Sequence, residues 1–224
     1  MSEVAARLDE VRGRIERAAM RAGRAPDAVR LIAISKGQPA AKIRAAHAAG
    51  QRAFGENYAQ ELKAKAVELA DLDGLRWHFV GHLQSNKAKL VAPLAELVHT
   101  VDSDTLGREL VKRASGLRLR ALIEVNLGEE PQKGGVAPGA VLDLARSLVA
   151  IPGFELVGLM SVPPAGETAR PAFVRLRELR DSVATVLGQP LPELSMGMSS
   201  DFEDAIAEGA TLVRVGTAIF GERS

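Results

Sequence analysis

Short apolar runs alternate with amphipathic segments along the chain. A short aliphatic run bounded by glycine, proline or a capping residue is typical of a buried strand. Apolar residues at intervals of three and four are typical of a helix that packs one face on a core. The predicted strands cover residues 31–35, 52–54, 77–80, 97–101, 119–125, 156–160, 193–196 and 211–215.

A helix is predicted after each strand. The first helix starts at Pro39 and is closed by Gly50, since glycine is the common residue just past a helix end. The later helices are predicted at 58–71 and 84–91, from Ser103 to Gly116, from Pro138 onward, at 171–187, after Ser200, and as a last turn at 217–221. Ahead of the first strand, Ser2 can cap a further helix with one apolar face formed by Val4, Leu8, Val11 and Ile15.

Eight apolar strands that alternate with helices predict a parallel sheet, and the number eight favours a closed barrel over an open doubly wound sheet. No linker, low-complexity tract or change of composition divides the chain. We therefore predict an α/β protein: a single (β/α)8 TIM-type barrel domain over residues 1–224, with the N-terminal helix as an extra element.

Composition narrows the function classes. Hydrophobic residues make up 46% of the 224 and charged residues 25%, which is typical of a soluble globular protein. With 29 basic against 28 acidic residues the net charge is +1, so no broad basic surface for nucleic acid or membrane is expected. The absence of cysteine excludes disulfides, thiolate metal sites and a cysteine nucleophile. The N-terminus resembles a helix rather than a signal peptide, and no run is long enough to span a membrane, so we expect a cytoplasmic protein.

Lys36 stands where the first apolar strand ends. In a parallel barrel the carboxyl ends of the strands form the ligand-binding face, so this amine is predicted to point into a site. An apolar setting lowers the pKa of an amine, and the neutral amine is the form that attacks a carbonyl to make an imine. The alternative is a strand-end lysine whose ammonium extends into solvent.

The ends of the seventh and eighth strands carry residues suited to an anion. Residues 195–200 bring hydroxyls to a predicted helix start, and residues 213–218 leave the last strand through Gly216, which lets backbone approach a ligand. With Lys36 across the barrel mouth, these segments predict a receptor for an aldehyde that carries a phosphate. Alternatively, Ser199 or Ser200 only caps its helix, Ser200 with Glu203 in a capping box.

Other polar residues have simpler interpretations. Asn57 is placed to cap the helix at 58–71, with Gln60 in a capping box. His78 and His82 flank a strand and its glycine loop, lack partners at metal-ligand spacing, and do not predict a metal site. Lys133 lies in a glycine-rich loop, where a solvated lysine is the default expectation. No dinucleotide fingerprint, Walker loop or Ser-His-Asp arrangement is present.

Six segments, in order along nearly the whole chain, resemble the pyridoxal-phosphate homeostasis proteins, which are single-domain relatives of the alanine racemase barrel. The segments are residues 33–36 (AISK), 54–58 (FGENY), 77–87 (WHFVGHLQSNK), 158–160 (GLM), 194–199 (LSMGMS) and 213–221 (VRVGTAIFG).

The resemblance implies pyridoxal 5′-phosphate held as an imine on Lys36, with Arg214 beside the pyridine nitrogen. It further implies phosphate contacts from Ser199, Gly216 and Thr217, with Asn57 and Met198 near the ring. The implied role is to carry or buffer the cofactor in vitamin B6 and amino-acid and keto-acid homeostasis, without substantial turnover. Implied partners are the small-molecule cofactor and, transiently, pyridoxal-phosphate-dependent apoenzymes. Neither nucleic acid nor membrane is an expected partner, and the protein is expected to be a monomer.

Two other functions remain open at this point. An amino-acid racemase would need a second proton-transfer group opposite the lysine, which related racemases take from a second domain that this chain has no room for. A cofactor-free lysine aldolase would be colourless, whereas bound pyridoxal phosphate gives a yellow protein.

Overall fold

The eight apolar runs form strands that close into a parallel barrel in the computed structural model, which describes residues 2–114, 116, 118–164 and 168–222. Each strand pairs with its neighbour in sequence, and the last pairs with the first. The predicted (β/α)8 barrel is therefore confirmed, although some strands begin earlier, as β4 does at Ala95 rather than Leu97. The strands are β1 Arg30–Ile34, β2 Ala53–Glu56, β3 Arg76–Phe79, β4 Ala95–Val101, β5 Leu119–Glu124, β6 Phe154–Met160, β7 Glu193–Ser195 and β8 Leu212–Val215.

Helices surround the barrel, and an additional N-terminal helix packs on the last two of them. The Ser2 hydroxyl caps that first helix by accepting a hydrogen bond from the Ala5 N–H at 3.2 Å, as predicted. The helices are α1 Glu3–Arg21, α2 Ala40–Ala48, α3 Ala59–Glu68, α4 Ala88–Val91, α5 Asp104–Arg113, α6 Val141–Val149, α7 Ala169–Leu187, α8 Phe202–Ala207 and α9 Thr217–Phe220, with 3-10 turns at Pro26–Ala28, Ser85–Lys87 and Pro138–Ala140. No helix in these described ranges is long and apolar enough to cross a bilayer.

Alternation along each strand separates two apolar layers. Val213 and Val215 of β8 point outward into the large core between strands and helices, whereas Leu212 points into the barrel. The barrel interior also holds Ile32 and Leu97. Polar side chains of β3, β4, β7 and β8 share this interior, and they connect the fold to the site.

Two predicted helix caps are wrong. α3 begins at Ala59 with Tyr58 in the cap position, and no side chain caps it, so Asn57 and Gln60 form no capping box. α8 begins at Phe202 after Asp201 and likewise has no side-chain cap from Ser200. The Asp201 carboxylate instead accepts a hydrogen bond from the Met198 N–H at 2.6 Å, which shapes the loop before the helix.

Candidate functional site

A cavity of about 520 Å³ opens at the carboxyl end of the barrel, within the size range of small-molecule sites. It brings together every residue of the predicted set, from the ends of β1, β2, β7 and β8. The residues that line it are Ile34, Lys36, Asn57, Val80, Val162, Met198, Ser199, Ser200, Arg214, Gly216 and Thr217.

Lys36 follows β1 in a tight turn at the wall of this cavity. Ser35, between the strand and the lysine, is fully buried, and its N–H donates to the Gly55 carbonyl at 3.0 Å. Gly37 on the other side has a φ of +67°, a left-handed conformation that glycine adopts without a steric penalty. The chain therefore turns at Lys36 while the backbone before it stays bonded to the barrel.

The hydrogen bonds of a buried ion cluster hold the backbone before Lys36 in place. Lys65 reaches in from α3, and its ammonium donates to the Ser35 carbonyl at 2.6 Å and to Glu56 Oε1 at 2.7 Å. The Ser35 hydroxyl donates to the same carboxylate oxygen at 2.7 Å. We call Ser35, Glu56, Glu61 and Lys65 the Lys65 cluster.

The same cluster also holds the backbone after Lys36. Glu61 Oε1 accepts from the Gly37 N–H and from the Lys65 ammonium, each at 2.7 Å. Lys36 was the lysine predicted at this strand end, but the Lys65 ammonium reaches the same place from a helix. The periodicity of α3 could not show this, because the direction of a long side chain depends on tertiary packing.

The carboxyl group of Glu56 is fully buried. Burial raises its pKa, while hydrogen bonds from Lys65 and Ser35 act in the opposite direction. Its Oε2 has no hydrogen-bond partner among the described residues. Glu56 therefore depends on the Lys65 ammonium to remain ionised in this position.

Arg214 lies inside the barrel on β8, and its guanidinium is held by uncharged acceptors. One nitrogen donates to Ser195 Oγ at 2.6 Å and another to the Ser161 carbonyl at 2.8 Å. Burial lowers the pKa of Arg214 to about 10, and Glu124 and Asp201 oppose that shift through space. The group therefore remains charged at neutral pH and brings a positive charge to the cavity.

Two buried histidines continue the hydrogen bonding from Ser195 across the barrel. Ser195 Oγ lies 2.8 Å from His99 Nδ1, and His99 Nε2 lies 2.9 Å from His78 Nδ1. Burial, followed by nearby positive charges, lowers the pKa of His78 to about 3 and that of His99 well below its ordinary value. Both imidazoles are therefore neutral. A histidine inside an apolar strand, such as His78, was the available sequence signal for a buried polar contact. His78 had been considered only as a possible metal ligand.

Two hydroxyl groups meet at the wall of the cavity, one from the loop after β7 and one from the first residue of α9. A hydrogen bond of 3.1 Å joins Thr217 Oγ1 to Ser199 Oγ. Gly216, just before Thr217, has little room for a side chain, since a Cβ there would lie 3.3 Å from both Cβ and the carbonyl oxygen of Ile34. Backbone and hydroxyl groups thus face the cavity together, as an anion requires.

Asn57 lines the cavity with a buried Oδ1 that has no partner among the described residues. Gly81 packs directly on this segment, because a Cβ at that position would lie 2.0 Å from the Asn57 carbonyl oxygen. The lack of a side chain at Gly81 therefore allows its backbone to pack closely against the Asn57 segment at the pocket wall. The orphaned amide oxygen is an observation that favours a bound group in this cavity.

Lys133 is not the solvated loop lysine that was expected. Its ammonium donates to the Pro163 carbonyl at 2.9 Å and pairs with Glu130. These contacts join the loop after β5 to the segment after β6. The default expectation for this residue is therefore wrong.

Comparison with known proteins identifies the family. The family model described as "Alanine racemase, N-terminal domain" matches residues 7–224. A pyridoxal phosphate homeostasis protein of Pseudomonas aeruginosa is 47% identical, covering 100% of this chain and 97% of its own length. One of Aquifex aeolicus is 45% identical over 97% of both chains. This chain belongs to the pyridoxal phosphate homeostasis protein family. The resemblance inferred from the six sequence segments is confirmed.

A solved structure of this family provides a further comparison. PipY of Synechococcus elongatus, in a structure described as having pyridoxal phosphate bound, is 39% identical and superposes with a TM-score of 0.86 over 97% of this chain and 100% of the other. The barrel is thus shared over 97% of this chain and the whole of the PipY chain.

Proposed function

We propose that this protein binds pyridoxal 5′-phosphate in the cavity at the carboxyl end of the barrel and carries or buffers it. The single observation that carries this proposal is the convergence of an amine, a buried guanidinium and a pair of hydroxyls, from Lys36, Arg214, Ser199 and Thr217, on one cavity of about 520 Å³. An aldehyde, a ring nitrogen and a phosphate are complementary to these three kinds of group. The relatives' names and the PipY structure support the same ligand.

Lys36 is the residue that would hold the cofactor covalently. Its neutral amine would attack the aldehyde carbon, so that a carbon–nitrogen double bond forms and the aldehyde oxygen leaves as water. The Lys65 cluster would keep the amine at the cavity wall, because it holds the backbone on both sides of Lys36. Met198 and Asn57, which also line the cavity, would lie beside the ring.

Ser199, Gly216 and Thr217 would hold the phosphate. The two hydroxyls already lie within hydrogen-bonding distance of one another, so they can donate to one anion without a large rearrangement. The missing side chain at Gly216 allows the phosphate to approach the backbone.

We further propose that the protein does not turn over amino acids at the rate of an enzyme. Pyridoxal phosphate supplies an electron sink for carbanion chemistry, and that sink is strongest when its ring nitrogen is protonated. The positive charge of Arg214 would oppose protonation there. The single tyrosine of the sequence, Tyr58, is 59% exposed at the start of α3 and is not among the residues that line the cavity. A positioned acid or base typically contributes about 10²–10⁴-fold in rate.

Reduction and peptide mapping test the covalent assignment. The protein purified with its cofactor should be yellow, and borohydride should fix a pyridoxyl group on Lys36. Lys36→Arg should lose the colour and the label, because arginine stays charged and cannot condense. Lys63→Arg, a change at an exposed lysine of α3, is the matched control and should keep both. A pyridoxyl label on another lysine with Lys36 unlabelled would refute the assignment, and a colourless protein that does not take up added cofactor would favour the aldolase.

Deuterium exchange tests the absence of turnover. With L-alanine in deuterated water, exchange at Cα should not exceed that of free cofactor at the same concentration. Exchange well above that level, and abolished by Lys36→Ala, would identify a racemase-like enzyme instead.

We also propose that the protein is a monomer. Size-exclusion chromatography of the protein with its cofactor bound tests this.

A further inference from the structure

A chain of hydrogen bonds runs through the barrel interior from Arg214 toward the amino ends of the strands. The guanidinium donates to Ser195 Oγ, which contacts His99 Nδ1, and His99 Nε2 contacts His78 Nδ1, at 2.6, 2.8 and 2.9 Å respectively. We call Ser195, His99 and His78 the polar chain. They come from three different strands, β7, β4 and β3, and all three are buried.

The direction of each hydrogen bond follows from the donors available. Arginine only donates, so Ser195 Oγ accepts from Arg214. If His99 Nδ1–H also donated to Ser195, the serine hydroxyl hydrogen would need a third partner, and Ser195 Oγ has no other among the described residues. An unsatisfied buried donor is costly, so Ser195 donates to His99 Nδ1.

The histidine tautomers follow from this direction. An accepting Nδ1 leaves the proton of neutral His99 on Nε2, which donates to His78 Nδ1. His78 then carries its own proton on Nε2. His78 also lines a second cavity of about 260 Å³ at the amino ends of the strands, where a polar N–H can be hydrated. The donors of the polar chain therefore all point in one direction, away from Arg214.

The polar chain anchors a cation without neutralising it. A carboxylate in the place of Ser195 would also accept from Arg214, but it would cancel the positive charge that reaches the cavity. Neutral acceptors fix the guanidinium in position and leave that charge available to a ligand. The depressed pKa values of both histidines agree with this, because a protonated imidazole could not accept at Nδ1.

We propose that His99 is a positioning residue for Arg214, holding it through Ser195 as a cation directed at the ring nitrogen of the cofactor. The proposal rests on the proposed function for the identity of the ligand. It adds that the polar chain, none of whose residues lines the cofactor cavity, favours a ligand whose ring nitrogen is unprotonated. His78 completes the polar chain by accepting the hydrogen bond that His99 Nε2–H donates.

Nitrogen-15 NMR of histidine in the protein without cofactor tests the polar chain independently of any ligand. The protein has four histidines, so single substitutions assign the signals. His78 and His99 should both be neutral and protonated on Nε2. A His99 protonated on Nδ1 would reverse the chain and overturn the proposal even if the cofactor binds as proposed.

Two substitutions at residue 99 then test the link to the ring nitrogen. In His99→Gln, the amide can accept from Ser195 and donate to His78, whereas in His99→Phe both contacts are lost. Dissociation constants would be measured for pyridoxal phosphate and for its benzene analogue, which keeps the aldehyde and phosphate but has carbon in place of the ring nitrogen. His47→Phe, at a histidine on the outer helix α2, is the control.

The expected pattern is specific to one ligand. His99→Phe should weaken pyridoxal phosphate about tenfold, the size of one hydrogen bond to a charged group, and leave the benzene analogue within about twofold. His99→Gln and His47→Phe should resemble the unaltered protein with both ligands. Equal weakening of both ligands in His99→Phe would indicate a merely structural role and overturn the proposal. If His99→Phe does not fold, a His99→Gln variant with a changed preference between the two ligands would overturn it as well.

Discussion

At the residue scale, the pocket offers a ligand two kinds of hydrogen-bond donor, one charged and one neutral. Arg214 provides a positive charge, whereas Ser199 and Thr217 provide neutral hydroxyls. The two hydroxyls are hydrogen-bonded to each other at 3.1 Å and are open to solvent. Their contribution to binding therefore depends on how many hydrogen bonds they donate to the ligand. Each of those bonds is made to a charged oxygen and is worth more than a neutral one.

Ser199→Ala should therefore weaken binding of pyridoxal phosphate by about ten- to a hundredfold, because one hydrogen bond to a charged group contributes roughly 1.5–3 kcal/mol. Binding of pyridoxal, which lacks the phosphate, should be unchanged by the same substitution. Equilibrium dialysis with both ligands measures this. If the two ligands lose affinity equally, Ser199 does not contact the phosphate.

At the element scale, α3 fixes the end of β1. Lys65, on the buried face of the helix, is the link, because its ammonium bonds the Ser35 carbonyl and the Glu56 carboxylate at the end of β2. A helix and two strands thus meet at one buried charge. Removing that charge leaves a carboxylate that cannot be hydrated.

Lys65→Met should lower the free energy of unfolding by roughly 3–5 kcal/mol at neutral pH, as expected when one partner of a buried ion pair is lost. Lys63→Met, on the exposed face of the same helix, should change it by less than about 0.5 kcal/mol. Urea unfolding measures both.

The penalty of Lys65→Met should shrink as the pH falls, because Glu56, whose pKa burial already raises, takes up a proton. Adding Glu56→Gln should also restore part of the stability. A loss that is independent of both pH and Glu56 would show that packing of the lysine stem, not its charge, holds α3.

At the scale of the whole molecule, the barrel encloses two histidines that stay neutral. The pKa of His78 is about 3, and that of His99 is also well below its ordinary value, first because both are buried. In the unfolded chain both would take up protons near pH 6.5, so acid favours unfolding. Their contribution to stability is complete above that pH and is lost as the pH falls toward the folded-state pKa values.

His99→Gln should reduce the loss of stability on acidification by about 1.4 kcal/mol per pH unit between about pH 6 and 4, since one protonating group is removed from the unfolded chain. Carboxylates common to both proteins cancel in this difference. Urea unfolding at several pH values measures it. An unchanged slope in His99→Gln would mean that His99 takes up its proton in the folded protein as well.

Alternation of apolar runs with helical segments was enough to predict the eight strands, because a parallel strand buried on both faces is mostly apolar. It also placed Lys36, Ser199 and Arg214 near one mouth, since parallel strands all end on the same side of a barrel. The predicted caps at Asn57 and Ser200 were wrong because capping depends on the angle at which the chain enters the helix. Both residues line the pocket instead.

The linear sequence therefore determined the barrel, its chain order and the position of the amine. Only the tertiary structure decided which polar side chains meet inside it. His78, His99 and Ser195 lie on separate strands, and closure of the barrel with its fixed stagger sets which of them come within hydrogen-bonding distance. Lys65 reaches β1 for a similar reason, because packing of the helix on the barrel directs its long side chain inward. Periodicity identifies alternating faces along one element, whereas contacts across the barrel depend on the closed geometry of all the strands together.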